Sequence, residues 1–183
     1  NDLGASFDAV FLSIGTWKES WVYMPGTELK GVIPALNFLE EVAKEKPVTL
    51  GKNVVVIGGG NAAIDSARTA KRLGSNVTIV YRRDRRDMPA IAEEVEAAEQ
   101  EGIEIAFYAA PHRIVGTEDG RVRALEAVRT QPGEFDASGR RKPIMTDEIQ
   151  RFDCETVVLA VGEAVDLDFI KATGLKLKAD NKG

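Results

Sequence analysis

The chain has 183 residues, a net charge of −5, 44% hydrophobic and 29% charged residues, one cysteine and one histidine. That balance suits one globular domain with its own core plus flanking pieces, and it argues against nucleic acid as a partner. One cysteine excludes a disulfide framework and an all-cysteine metal site; with no stretch apolar enough to span a membrane and no visible signal peptide, a cytoplasmic setting is expected.

In chain order, residues 8–15 (DAVFLSIG) read as a buried strand running to a glycine. A loop with Pro25-Gly26 and Gly31 follows, then a helix over 35–44 that Pro47 closes off. Residues 54–57 (VVVI) are an unbroken apolar run, as in a strand buried on both faces. A helix from Asn61 stops at Leu73-Gly74, with Lys71 and Arg72 near its negative end. Residues 77–81 are a strand, 90–100 a Glu-rich helix ended by Gly102, and 103–107 a third strand. Residues 53–107 are therefore β-α-β-α-β, one mononucleotide-binding half of a doubly wound sheet. Residues 112–117, 122–130 and 144–152 read as an antiparallel meander, with a hairpin turn at Glu118-Asp119-Gly120 and a polar loop over 136–143. Residues 156–162 (TVVLAVG) are a last buried strand. They echo residues 8–15 position by position, ending on Gly162 as the first ends on Gly15. The fold class is α/β: a three-layer Rossmann-like dinucleotide-binding domain, with a parallel sheet plus an antiparallel β-meander.

The chemistry concentrates in Gly58-Gly59-Gly60-Asn61-Ala62-Ala63, between strand and helix. Gly58 permits the tight turn, Gly60 lets backbone approach a pyrophosphate, and Ala63 allows close helix–strand packing. Asn61 reads as the N-cap. The free N–H groups of the first helical turn, with the helix dipole, suit phosphate. An NAD-selecting fold places an acid about 20 residues further on, at the tip of the second strand. Here Arg82 and Arg83 stand there, with Arg85 and Arg86 behind. Arginine pairs suit a 2′-phosphate, so the expected cofactor is NADP(H). Cys154 and His112 carry no such pattern and read as structural.

The segments VVVIGGGNAAIDSAR, VTIVYRR, MPA, EEVEAAEQEG, PGTELKGV, FDASGRRKP and LAVGEAVDLDF resemble the NADPH-binding domain of the glutamate synthase small-subunit type of flavoprotein. Dihydropyrimidine dehydrogenase and adrenodoxin-reductase-like enzymes resemble it more distantly. The resemblance implies an NADPH-binding domain inserted in an FAD-binding domain, with hydride passing to the flavin and electrons on to iron–sulfur clusters or a partner subunit. It assigns residues 1–50 to a fragment of the FAD-binding domain and linker, 51–162 to the NAD(P)H-binding domain, and 163–183 to a return segment. It implies that Gly58, Gly59, Gly60, Asn61 and Ala62 hold the pyrophosphate and nearby ribose, and that Arg82 and Arg83 hold the 2′-phosphate. Glu94 and Gly162 would lie near the nicotinamide; Glu163 departs from the glutamine many members carry. Asp65 matches a frequent family acid. FAD is expected in the full-length protein, bound by segments outside this chain. The chain alone is expected to be inactive, with Trp17, Trp21 and Phe169 facing the missing domain or a second copy in a homodimer.

Two other readings are weighed. A free-standing NAD(P)-binding regulatory module fits the same glycines. A short-chain dehydrogenase needs a Tyr-x-x-x-Lys pair, but Tyr23, Tyr81 and Tyr108 are followed at that spacing by Thr27, Arg85 and His112.

Overall fold

A computed structural model describes residues 23–164 without a break, and residues 6–11, 13, 15, 16, 18, 19, 168, 172 and 174. The chain divides into two compact units, one of Asn1–Ser20 with Glu163–Gly183, the other of Trp21–Gly162. In the first, β1 (Lys18–Glu19) pairs antiparallel with β10 (Glu163–Ala164). The strand predicted over 8–15 does not form among the described residues, and Val10 and Phe11 are exposed. An isolated extended segment has no neighbour for its ladder hydrogen bonds, and no described strand pairs with it. Trp17, Trp21 and Phe169 lie outside the described residues.

The second unit runs β2 (Val32–Pro34), α1 (Ala35–Ala43), β3 (Asn53–Ile57), α2 (Asn61–Arg72), β4 (Asn76–Val80), α3 (Ala92–Gln100), β5 (Glu104–Ala106), β6 (Ala109–Gly116), β7 (Val122–Phe135), β8 (Arg141–Asp153) and β9 (Thr156–Leu159). Five strands form a parallel sheet in the order β2-β9-β3-β4-β5. Three form the antiparallel meander β6-β7-β8. The β-α-β-α-β run is as expected. The sheet's outer strand β2 comes instead from a stretch read as loop. Three residues are too few for a period to show, and β2 exists because β9 offers it a pairing edge.

The apolar runs are explained by burial on both faces. Val54 and Val56 of β3, with Val77 and Ile79 of β4, pack against Phe38 of α1, Ala63, Ile64, Ala67 and Ala70 of α2, and Val95 and Ala98 of α3. Val55, Ile57, Val80, Val157 and Leu159 face the other way, onto Ala109, Ile114, Leu125 and Ala127 of the meander. Alternate residues of one strand thus serve two cores, as the period of two requires. The result is three layers: helices, parallel sheet and meander. The alanines of α2 let it lie close on the sheet.

Cys154 is buried in the meander-side core, and burial pushes its thiol up to about 12. It is a packing residue, since the reactive form is the thiolate. Among the described residues, no helix is long and apolar enough to cross a membrane, and no cluster of His, Cys, Asp and Glu could hold a metal.

Ile79, fully buried at the centre of the sheet, and Ile149, 49% exposed on the meander, test this layering. Ile79→Ala should cost about 2–5 kcal/mol in urea unfolding. Ile149→Ala should change stability by less than about 0.5 kcal/mol.

Candidate functional site

At the carboxyl edge of the parallel sheet, β3 ends at Ile57 and the chain turns through three glycines into α2. Each glycine meets a different constraint. Gly58 has φ +146°, and a Cβ there would run into the carbonyl oxygen of Ala160, just beyond β9. A Cβ on Gly59 would come within 2.5 Å of the Tyr81 ring. On Gly60 the nearest atom would be Cγ of Pro89, at 3.9 Å. The first two glycines are demanded by the protein's own packing. Of the three, Gly60 alone opens onto unfilled space.

The helix start differs from expectation in one respect. Gly60, in extended conformation, is the N-cap of α2, and Asn61 is the first helical residue. The Asn61 side chain is claimed elsewhere: its Oδ1 accepts a hydrogen bond from the Ile91 amide at 3.0 Å. The Ala90 amide donates to the Gly59 carbonyl at 3.1 Å. The Met88-Pro89-Ala90 segment is thereby fastened across the glycine turn. The amides of Ala63 and Ile64 both donate to the Gly60 carbonyl. The amides of Gly60, Asn61 and Ala62 have no acceptor among the described residues, as the geometry of a helix start dictates.

Tyr81, which sequence reasoning treated only as a strand end, is the platform of this turn. Its ring lies beneath Gly59, and its hydroxyl donates to the Asp87 carbonyl at 2.6 Å. The register could have pointed to it: Ile57 pairs with Val80, so Tyr81 is the residue beside Gly58.

The arginines at the β4 tip divide sharply. Arg82 is exposed, and its guanidinium makes no hydrogen bond or ion pair with the described residues. Arg83 is buried, donating through Nε to the Arg141 carbonyl at 2.8 Å and pairing through Nη2 with Asp136 at 3.0 Å. Arg85 is paired with Glu99, and Arg86 is 93% exposed, 3.7 Å from Asp84. Asp84, the nearest carboxylate in sequence, accepts from the Arg85 amide as cap of a short 3₁₀ turn. Burial, then the Asp84 carboxylate, pushes the Tyr108 phenol above its ordinary value.

Glu94 is not brought to the glycine turn. It sits in the first turn of α3 and pairs with Arg68 of α2, which also binds Glu101 at 2.8 Å. Arg68, and then Arg72, holds the Glu101 carboxyl below its usual range. Asp65 is exposed on α2. Gly162, at φ +122°, follows β9 at the same carboxyl edge as Gly58. The side chain of Glu163 lies outside the described residues.

The pyridine nucleotide-disulphide oxidoreductase family model matches residues 2–183. The chain belongs to this family. Among curated relatives it is 40% identical over 174 residues to the NADPH-Fe(3+) oxidoreductase subunit beta of Geobacter sulfurreducens, covering 92% of this chain and 26% of that protein. It is 39% identical to the NADP(+)-dependent formate dehydrogenase subunit beta of Moorella thermoacetica, over 93% of this chain and 25% of that one. To the glutamate synthase [NADPH] small chain of Escherichia coli K12 it is 37% identical, over 88% of this chain and 37% of the relative. The chain thus spans between a quarter and two fifths of the length of these three relatives. Mycobacterium tuberculosis FprA in complex with NADPH shares the fold, at TM-score 0.70 and 19% identity over 89% of this chain and 51% of that one. So does the thioredoxin reductase of T. acidophilum, at 0.65 and 21%, over 92% and 48%.

The glycine turn gives a test of the divided constraints. Gly58→Ala and Gly59→Ala should each lower the urea midpoint clearly, because backbone and ring must give way. Gly60→Ala should leave it within about 0.5 kcal/mol of the parent in stability, close to the ordinary cost of a surface change.

Proposed function

We propose that this chain is the NADP(H)-binding portion of a flavoprotein oxidoreductase. One juxtaposition carries the reading. The amides of Gly60, Asn61 and Ala62, without acceptors among the described residues, stand at the carboxyl edge of a parallel sheet, and just beyond the end of the adjoining strand β4 lies the exposed Arg82, whose guanidinium has no partner among them. Membership of the family and the names of the relatives support it.

In this reading the pyrophosphate lies on those amides, with Gly58 and Gly59 shaping the turn that presents them. Arg82 takes the 2′-phosphate through charge-assisted hydrogen bonds, with Arg86 adding charge nearby. Arg83 belongs to the 2′-phosphate site by holding the tip of β4. Gly162 borders the nicotinamide end. Glu94, held by Arg68, is an acid towards that end. Held by these residues, NADPH would supply a hydride, for which FAD bound by the rest of the full-length protein would be the acceptor. An iron–sulfur centre or a catalytic partner subunit would take the electrons on, in keeping with the subunit names of the relatives. The setting is cytoplasmic.

Arg82→Ala in the full-length protein should weaken NADPH binding roughly ten-fold or more, the loss of a charge-assisted hydrogen bond of about 1.5–3 kcal/mol, and leave NADH much less affected. Calorimetric titration with both cofactors measures this; equal losses would remove Arg82 from the 2′-phosphate. Gly60→Val should weaken both cofactors alike by filling the phosphate approach. Glu94→Gln should slow single-turnover flavin reduction more than it weakens NADPH binding, and an unchanged rate would confine Glu94 to its ion pair. A full-length protein that bound NADPH but held no flavin would be a regulatory module instead.

A further inference from the structure

We propose that the β7–β8 hairpin sets the preference for NADPH over NADH, with Asp136 acting through Arg83, and Thr130 acting through the Arg82 backbone, as positioning residues for the Arg82 guanidinium. The inference rests on the reading of Arg82 as the 2′-phosphate ligand.

Residues 82–83 lie beyond the end of β4, where no strand pairing holds them. The meander and the segment leading into it hold them instead. The Thr130 hydroxyl donates to the Arg82 carbonyl at 2.8 Å. The Tyr108 amide donates to the Arg83 carbonyl at 3.2 Å, and the Tyr108 carbonyl accepts from the Thr130 amide at 2.7 Å. The Arg83 side chain reaches the hairpin turn, bound to the Arg141 carbonyl and the Asp136 carboxylate. The Arg141 amide reaches back to Asp87 at 3.3 Å. Both carbonyls of the Arg82-Arg83 pair, and the Arg83 guanidinium, are committed to the meander and the segment leading into it. Among the described residues the Arg82 guanidinium has no such tie.

Tyr108 sits at φ +57°, a strained conformation for a residue with a side chain. The contacts on its amide and carbonyl hold it there. Asp136 is itself well anchored. Its carboxylate accepts from the Ser138 hydroxyl and from the Ser138 amide at 2.8 Å, and the Arg140 amide lies at 3.2 Å. The Ser138 hydroxyl first, then these amides and Arg83, hold the carboxyl at about 2. The anchor is complete at any pH above the free carboxyl's range near ~4, and is lost as pH falls through about 2. A buried arginine tied to an anchored carboxylate is a rigid strut, and the exposed arginine beside it inherits that rigidity. Preorganisation of this kind adds affinity only for the ligand that Arg82 touches.

The test measures NADPH and NADH affinities for the full-length protein and its Arg82→Ala, Asp136→Ala, Thr130→Val and Arg82→Ala/Asp136→Ala variants. Asp136→Ala and Thr130→Val should each lower the NADPH-to-NADH affinity ratio roughly three-fold or more, the scale of coupling within one hydrogen-bonded network. The double variant should show no lower ratio than Arg82→Ala alone. A loss of general structural integrity would weaken both cofactors alike and leave the ratio unmoved, which overturns the proposal. So does a ratio that falls further in the double variant. Should Asp136→Ala fail to fold, Thr130→Val decides by the same ratio, since it leaves the Arg83–Asp136 pair in place. If Arg82→Ala itself leaves the ratio unchanged, the reading of the site falls and this inference with it. If Arg82→Ala lowers the ratio and neither positioning variant does, only the inference falls.

Discussion

At the sheet's carboxyl edge Gly58 lies against the Ala160 carbonyl with no room for a Cβ between them, and most of the site's geometry follows from that contact. β3 and β9 are neighbouring parallel strands, and both run out at this edge. For β3 to turn into α2 there, the chain must pass against the end of β9 with no side chain between them. That turn points the start of α2 at the edge of the sheet and leaves its first amides without acceptors among the described residues. A Cβ at Gly58 would push the turn off β9 and misplace the helix start along with it. The contact explains why a glycine is required where the ligand itself need not demand one.

A second layer of order surrounds this turn, part ring packing and part hydrogen bonds. Tyr81 supports Gly59 from below and fixes Asp87 through its hydroxyl. Asn61 and the Gly59 carbonyl hold the strap at Ala90-Ile91. These bonds tie the glycine turn and Tyr81 to the strap at 87–91, and each satisfies a backbone group that would otherwise lack a partner near a protein surface. The strap narrows the turn without filling the space at Gly60. Loops that stay open on one side and are tied on the other make good binding elements, because the ordering cost is met before the ligand arrives.

The meander has a role beyond covering the sheet. Its inner face completes the second core, burying Leu125 and Ala127 against Val55 and Val157. Its long hairpin then extends past that core to the tip of β4. There an arginine that sequence position alone would pair with phosphate is turned inward to Asp136. The two arginines lie just beyond the end of β4; Arg82 is exposed, while Arg83 is buried and meets the meander.

The sequence by itself determined the β-α-β-α-β order, the two-sided burial of β3 and the glycine turn. These are local signals: unbroken apolar runs, a helical period and glycines at set spacings. The family was legible in the same motifs. Tertiary structure decided what local signals could not carry. β2 exists only because β9 offers an edge, and residues 8–15 form no strand among the described residues because none is offered there. Asn61 gave up the cap for the Ile91 amide, and Glu94 lies on Arg68 between two helices. Arg82 and Arg83 are identical in type and adjacent in sequence, and nothing in either residue tells them apart. Their difference comes from a carboxylate more than fifty positions away, brought to one of them by a hairpin whose length and reach depend on pairing rather than on composition.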